Sequence, residues 1–343
     1  MAMSRKLSID TLRGLACILL VGYHVVGGPT QGLRLPAEHV LPQINEGLAL
    51  LRMPLFSFLS GFVYAWRPYS GDPARFLKGK VRRLLVPLLL VGTLFALLQA
   101  NMPGVNGAHY DWRLLHIVPM VNFWFLESLF IIFMLTAALE QFALLATPAR
   151  WTMVWLLAAL GYVANPMPIY FGLQGAAYLL PFFLLGLGSN RFGEQLPRGT
   201  VMLSTGALLA GLGLYHVFAA QAMPERPGVA ALVISAGLCV FLLRSLLELR
   251  WLAWIGVYSF AIYLFHSFFS AAARIGLSQL GVSSVPILFV TGLLAGIAGP
   301  VLAALILRRV PWGHVVLGES ASKRERAPSG ATALAGRSFP EQN

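Results

Sequence analysis

The run VPILFVTGLLAGIAGPVLAALIL, Val285–Leu307, decides the fold class, because its twenty-three consecutive residues carry no charge. A helix of that length reaches about 35 Å at 1.5 Å per residue, enough to cross the roughly 30 Å hydrocarbon core of a bilayer. Nine further apolar stretches precede it, near 10–28, 44–66, 83–100, 121–145, 150–164, 175–190, 199–219, 228–247 and 251–275. Over 343 residues the chain is 57% hydrophobic and 11% charged, where a soluble domain carries about 25% charge. So few charges cannot cover a water-facing surface. A soluble enzyme, a disordered chain and a disulfide-stapled secreted module are excluded, and an all-α, polytopic transmembrane bundle of about ten helices is expected.

Lys and Arg orient that bundle. With the N-terminus inside, twenty of the 25 fall on inner segments and four (Arg34, Arg113, Arg226 and Arg274) on outer ones, while Arg52 lies within the second span. This bias predicts both termini in the cytoplasm. The net charge of +12 therefore marks topology, and no nucleic-acid partner is expected. The start MAMSRK before an apolar stretch resembles a signal peptide but lacks a small-x-small cleavage site, so it is read as an uncleaved first span. Residues 1–318 form the expected transmembrane domain, and 319–343 a disordered cytoplasmic tail. Cys17 and Cys239 follow no metal-ligand spacing and read as small buried hydrophobes; no metal is expected.

Ionisable groups inside spans are costly and default to function. Depth arithmetic places His24, Arg52, Glu127 and His266 about 9–16 Å from a span end, all in the outer half of the bilayer. One layer fed by four spans reads as a site. Simpler roles stand beside this one: each histidine could bond a neighbouring helix, Arg52 and Glu127 could be a structural ion pair, and Asp10 could cap the first helix and pair with Arg13. In WLAWIGVYSFAIYLFHSFF, Ser259, Tyr263 and His266 follow at four and three residues and share one helical face. At the inner side, Arg75, Lys78, Lys80, Arg82 and Arg83 crowd into nine residues. The cluster serves either topology and anionic-lipid contact or a phosphate site.

These residues resemble the membrane-bound acyltransferase 3 family, whose members O-acylate sugars and related molecules. IDTLRGLACILLVGYH matches its signature of a basic residue, ten residues and a histidine, here Arg13 and His24. RMPLFSFLSGF, FLKGKVRRLLVP and GVYSFAIYLFH follow in the family's order, and NFWFLESLF looks like the opening of its fourth span. The resemblance implies ten core helices in a bacterial cytoplasmic membrane and no permanently bound cofactor. The implied partners are a cytoplasmic acyl-CoA donor, with acetyl-CoA the first candidate, a carbohydrate or glycoconjugate acceptor outside, and membrane lipids. It makes Arg13 and His24 the essential pair.

Acyl transfer to a hydroxyl needs a base, donors for the oxyanion and an orienter for the base. His24 is the expected base, or else a transient acyl carrier. Arg52 or Tyr263 is expected at the oxyanion, with Glu127 or His266 positioning partners. Arg13, Arg75, Lys78, Arg82 and Arg83 are the expected donor-binding residues. The rival readings are a ten-span transporter or flippase, which would be built from inverted repeats, and a non-enzymatic assembly partner.

Overall fold

The computed structural model describes residues 2–28, 31–102, 111–120, 122–193 and 227–320, together with 199, 202, 205, 206 and 209, and side chains from residue 7 onward. Most of the expected seventh span at 199–219 lies outside the described residues, as do Arg198, Arg226 and the tail from 321. Among the described residues the architecture is all-α apart from a hairpin of two-residue strands, Gly27–Gly28 with Gln31–Gly32, and a single bridge between Leu115 and Val118. Seven described helices are long and apolar enough to cross a membrane, or eight if one bent pair counts as a span.

α1, Ala2–Val26, is the central element. Leu12, Ala16, Cys17 and Val21 on it are fully buried, because helices pack around it on several sides. α2, Val40–Gly47, leads into α3, Ala49–Tyr64. The third span is composite: α4, Pro73–Lys80, two widened turns at Val81–Leu85 and Leu88–Gly92, then α5, Thr93–Asn101. Pro87 sits between those turns with no N–H to return to the Arg83 carbonyl, which is where a helix loosens. α6, Trp124–Gln141, and α7, Pro148–Ala164, follow. At 17 residues, α7 reaches only about 26 Å and falls short of a full span by length.

α8 is Leu173–Arg191 and α9 is Val229–Ser245. Here the sequence pattern misleads, for it runs 251–275 together as one span. The chain instead forms α10, Arg250–Val257, and α11, Ser259–Gln279, divided at Tyr258. Leu246, in the left-handed region at φ 49°, ends α9, and α10 leaves it bent by 117°. α10 buries Leu252, Ala253, Ile255 and Gly256 while Trp251, Trp254 and Val257 stay exposed. Its apolar composition hid an amphipathic helix whose other face meets α1. α12, Val285–Leu307, and a short α13, Gly313–Val316, complete the described chain.

Two glycine pairs let backbones touch. A Cβ on Gly14 of α1 would collide with the Leu252 carbonyl of α10, and one on Gly256 with the Asp10 carbonyl. Between α3 and α8 the same exchange occurs, Gly61 against Phe183 and Gly186 against Phe58. α12 uses a looser version, Gly292 and Gly296 facing Val25 and Val21 of α1, in the small-residue manner of membrane helices. The opposite faces carry exposed leucines, such as Leu94 on α5, Leu160 on α7 and Leu302 on α12, as expected of surfaces turned to lipid. Gly61→Ala and Gly186→Ala should each lower stability by about 1–3 kcal/mol through overpacking; the thermal midpoint of detergent-purified protein measures this, and an unchanged midpoint would contradict the backbone contact.

Candidate active site

Eleven residues separate Arg13 from His24, close to three full helical turns, so both lie on one face of α1 about 16 Å apart. They serve opposite ends of the bundle. Arg13 pairs with Asp10 at 3.2 Å, the i,i+3 ion pair expected from the spacing. Arg13, Lys80, Arg82 and Glu319 are charged neighbours of Arg83. Arg308, at the end of α12, pairs with Glu319 at 2.9 Å. A Cβ on Gly318 would fall 2.9 Å from the Arg83 Cα, so the segment after α13 lies directly against the arginines. Arg75 and Lys78 are exposed on α4. Lys80 is turned inward, its ammonium 3.3 Å from the Phe133 ring centre and 5.0 Å from that of Phe76, and does not share the surface of its neighbours.

His24 lies at the other end and lines a cavity of about 630 Å³. Arg52 and Tyr263 line it too, so three helices bring three of the expected groups to one space. Its other polar walls come from Gln31, Asn122 and Gln174, and its aromatic walls from Tyr23, Trp124 and Tyr178. Flat apolar faces beside amide groups suit a molecule with both hydroxyls and C–H faces.

Arg52 is 6% exposed and firmly held. One guanidinium nitrogen donates to the Asn45 side-chain oxygen at 2.6 Å and to its carbonyl at 3.0 Å. The guanidinium also covers the Tyr23 ring at 4.0 Å. Asn45 Nδ2 reaches the Tyr23 carbonyl at 3.5 Å, which ties α2 to α1. The Tyr263 hydroxyl donates to the Asn122 carbonyl, so its proton is already committed there. His266 is fully buried and sits behind His24, with ring centres 4.9 Å apart. Glu127 is 5% exposed, and among the described residues neither of its oxygens has a hydrogen-bond donor, Arg52 included. It lies beneath the cavity wall, where a Cβ on Gly172 would come within 2.7 Å of its own Cβ.

Asn45, Asn122 and Ser267 are the polar partners that sequence reasoning passed over. Only Asn45, seven residues before Arg52, carried a local signal, because i and i+7 share a helical face.

With this geometry in place, comparison with known sequences assigns the lineage. The profile of the acyltransferase 3 family, described as an acyltransferase domain, matches residues 6–308. The chain belongs to that family. It is 25% identical over 348 residues to YfiQ of Bacillus subtilis (strain 168), provisionally named a membrane-bound acyltransferase, covering 91% of this chain and 94% of the relative. No solved structure matches. This member of the acyltransferase 3 family is thus a multi-pass membrane protein and an acyltransferase. The match ends at 308, so the segment that lies against Arg83 is beyond it.

The planar contact of Arg52 with Tyr23 and its fork onto Asn45 are shapes an ammonium cannot reproduce. Arg52→Lys should therefore lose at least about tenfold in acyl transfer, nearly as much as Arg52→Ala, at normal membrane abundance. Release of free thiol from acetyl-CoA by washed membranes measures it, and wild-type turnover in Arg52→Lys would remove the geometric role.

Proposed function

We propose that this chain is an integral membrane O-acyltransferase that moves an acyl group, acetyl in the first instance, from cytoplasmic acyl-CoA to a hydroxyl of an extracytoplasmic sugar or glycoconjugate. The observation that carries the reading is the cavity in which His24 and Arg52 face one space. The proposal includes ten spans with both termini in the cytoplasm of a bacterial inner membrane, residues 1–318 as the catalytic domain and 319–343 as a tail.

In this reading the acceptor hydroxyl enters among Tyr23, Trp124 and Tyr178 and gives its proton to His24 as its oxygen attacks the thioester carbonyl. The oxyanion develops beside Arg52, which is already immobilised and needs no reorganisation. Collapse breaks the C–S bond, and the thiolate of coenzyme A recovers the proton. Tyr263 acts by holding Asn122, since its own hydroxyl proton is engaged. Arg13, Arg82 and Arg83 hold the donor's phosphates at the other end, with Arg75 and Lys78 at the approach. The 16 Å or so between Arg13 and His24 matches an extended arm running up the bundle, so the whole coenzyme need not cross the membrane.

His24→Ala should abolish acyl transfer, by about 10²-fold or more for loss of a general base, while membrane abundance stays near normal; incorporation of labelled acetyl into surface glycans reads it, and retained transfer would remove His24 from the chemistry. Arg82→Glu with Arg83→Glu should weaken donor binding, since bidentate phosphate contacts become repulsion. Acetyl-CoA affinity of the purified double variant measures this, and unchanged affinity in folded protein would return the arginines to topology.

A further inference from the structure

Asn122 and Ser267 close a hydrogen-bonded chain behind His24. His266 Nδ1 lies 2.9 Å from the carbonyl oxygens of both Ile262 and Tyr263. Carbonyls only accept, so Nδ1 carries a hydrogen and the lone pair of the neutral ring is on Nε2. Ser267 Oγ is 3.2 Å from that Nε2 and 3.4 Å from Asn122 Oδ1. Asn122 is fixed in turn, 3% exposed, its carbonyl accepting from Tyr263 and its Nδ2 directed at the Tyr263 carbonyl at 3.5 Å.

One hydroxyl facing two acceptors can serve only one at a time. A backbone N–H at Nε2 would suit the neutral imidazole alone, and a carboxylate would suit the imidazolium alone. A hydroxyl with a second acceptor suits both, so at zero exposure Nε2 of His266 keeps a partner in either state, where a lost one would cost about 1–3 kcal/mol. We propose that Ser267 is a two-way positioning hydroxyl, backed by Asn122, that lets His266 take up and return the proton of the acyl-transfer reaction. This rests on the acyltransferase reading above, with His24 as base.

The proton balance closes. The acceptor O–H bond breaks as an N–H forms on His24. The two imidazoles, 4.9 Å apart between centres and tilted by 51°, pass that proton to His266 Nε2 after a small ring rotation or across one water. Ser267 Oγ then accepts from Nε2–H, and its own hydrogen turns to Asn122 Oδ1. When the C–S bond breaks, the proton returns through His24 to the thiolate and an S–H forms, and Ser267 turns back. Around His266, α1 presents His24 with Arg52 of α3 beyond it, α12 presents Gly296, and Tyr263 on its own helix is neighboured by Glu127 of α6. Among the described residues, His24 is the titratable side chain whose ring adjoins that of His266.

The test uses full-length protein in detergent with acetyl-CoA, reading thiol release with and without an acceptor glycan, in water and in heavy water. Ser267→Ala should lower kcat roughly tenfold to a hundredfold with both KM values within about twofold, and should raise the solvent isotope effect. Ser267→Thr, which keeps the hydroxyl, should restore kcat. Asn122→Ala, which leaves Ser267 on His266 but removes the second acceptor, should show the same isotope effect, and it carries the test if Ser267→Ala does not fold. Wild-type kcat in Ser267→Ala or Asn122→Ala would overturn the proposal. So would equal loss in the Ala and Thr variants, or a loss confined to KM. A wild-type protein that binds acetyl-CoA but never cleaves it would overturn the acyltransferase reading itself, a different failure from an active wild type matched by an active Ser267→Ala.

Discussion

A membrane helix that carries an aspartate, an arginine and a histidine has to keep them covered by protein, and the bundle is arranged around that requirement. α1 is the helix in question. α10 reaches it backbone to backbone at Gly14 and Gly256, beside the Asp10–Arg13 pair. α12 reaches it through Gly292 and Gly296, along the stretch that leads to His24. Bulkier residues at these contacts would open gaps beside charged groups, and in lipid no water is present to fill them.

Enclosing α1 also fixes the separation of the two polar regions. The arginines gather at one end, and the cavity lies about 16 Å away along the same helix. Neither region needs a soluble domain, since both are built from side chains on helix ends and interior faces. The loosened turns around Pro87 lie beside Arg82 and Arg83, and Gly318 takes its positive φ, 62°, where the chain packs on Arg83. The backbone departs from regular helix at the arginine end and stays regular at His24 and His266. In the proposed reaction this would suit a flexible anionic donor at one end and fixed geometry for chemistry at the other.

Inside the cavity region the polar groups support one another across separate segments of the chain. Asn45 holds Arg52, Asn122 holds Tyr263, and Ser267 joins His266 to Asn122. Each pairing gives a buried donor a partner, as low-dielectric surroundings require. Glu127 departs from this pattern with two oxygens that accept no hydrogen bond among the described residues, beneath a glycine-lined stretch of cavity wall.

The sequence by itself determined that the chain is helical and membrane-spanning, because apolar length and charge density act locally and do not depend on partners. It also placed Arg13 and His24 on one face, and Tyr263 with His266 on another, since the helical period fixes faces within a single element. The tertiary structure decided which faces meet. Ser267 and Asn122 are 145 residues apart and nothing in their spacing relates them; their contact depends on the rotation and register of α11 against the segment before α6. The same cause hid the break at Tyr258. A helix that turns its apolar face to a neighbour reads like one that turns it to lipid, and only packing against α1 separated α10 from α11.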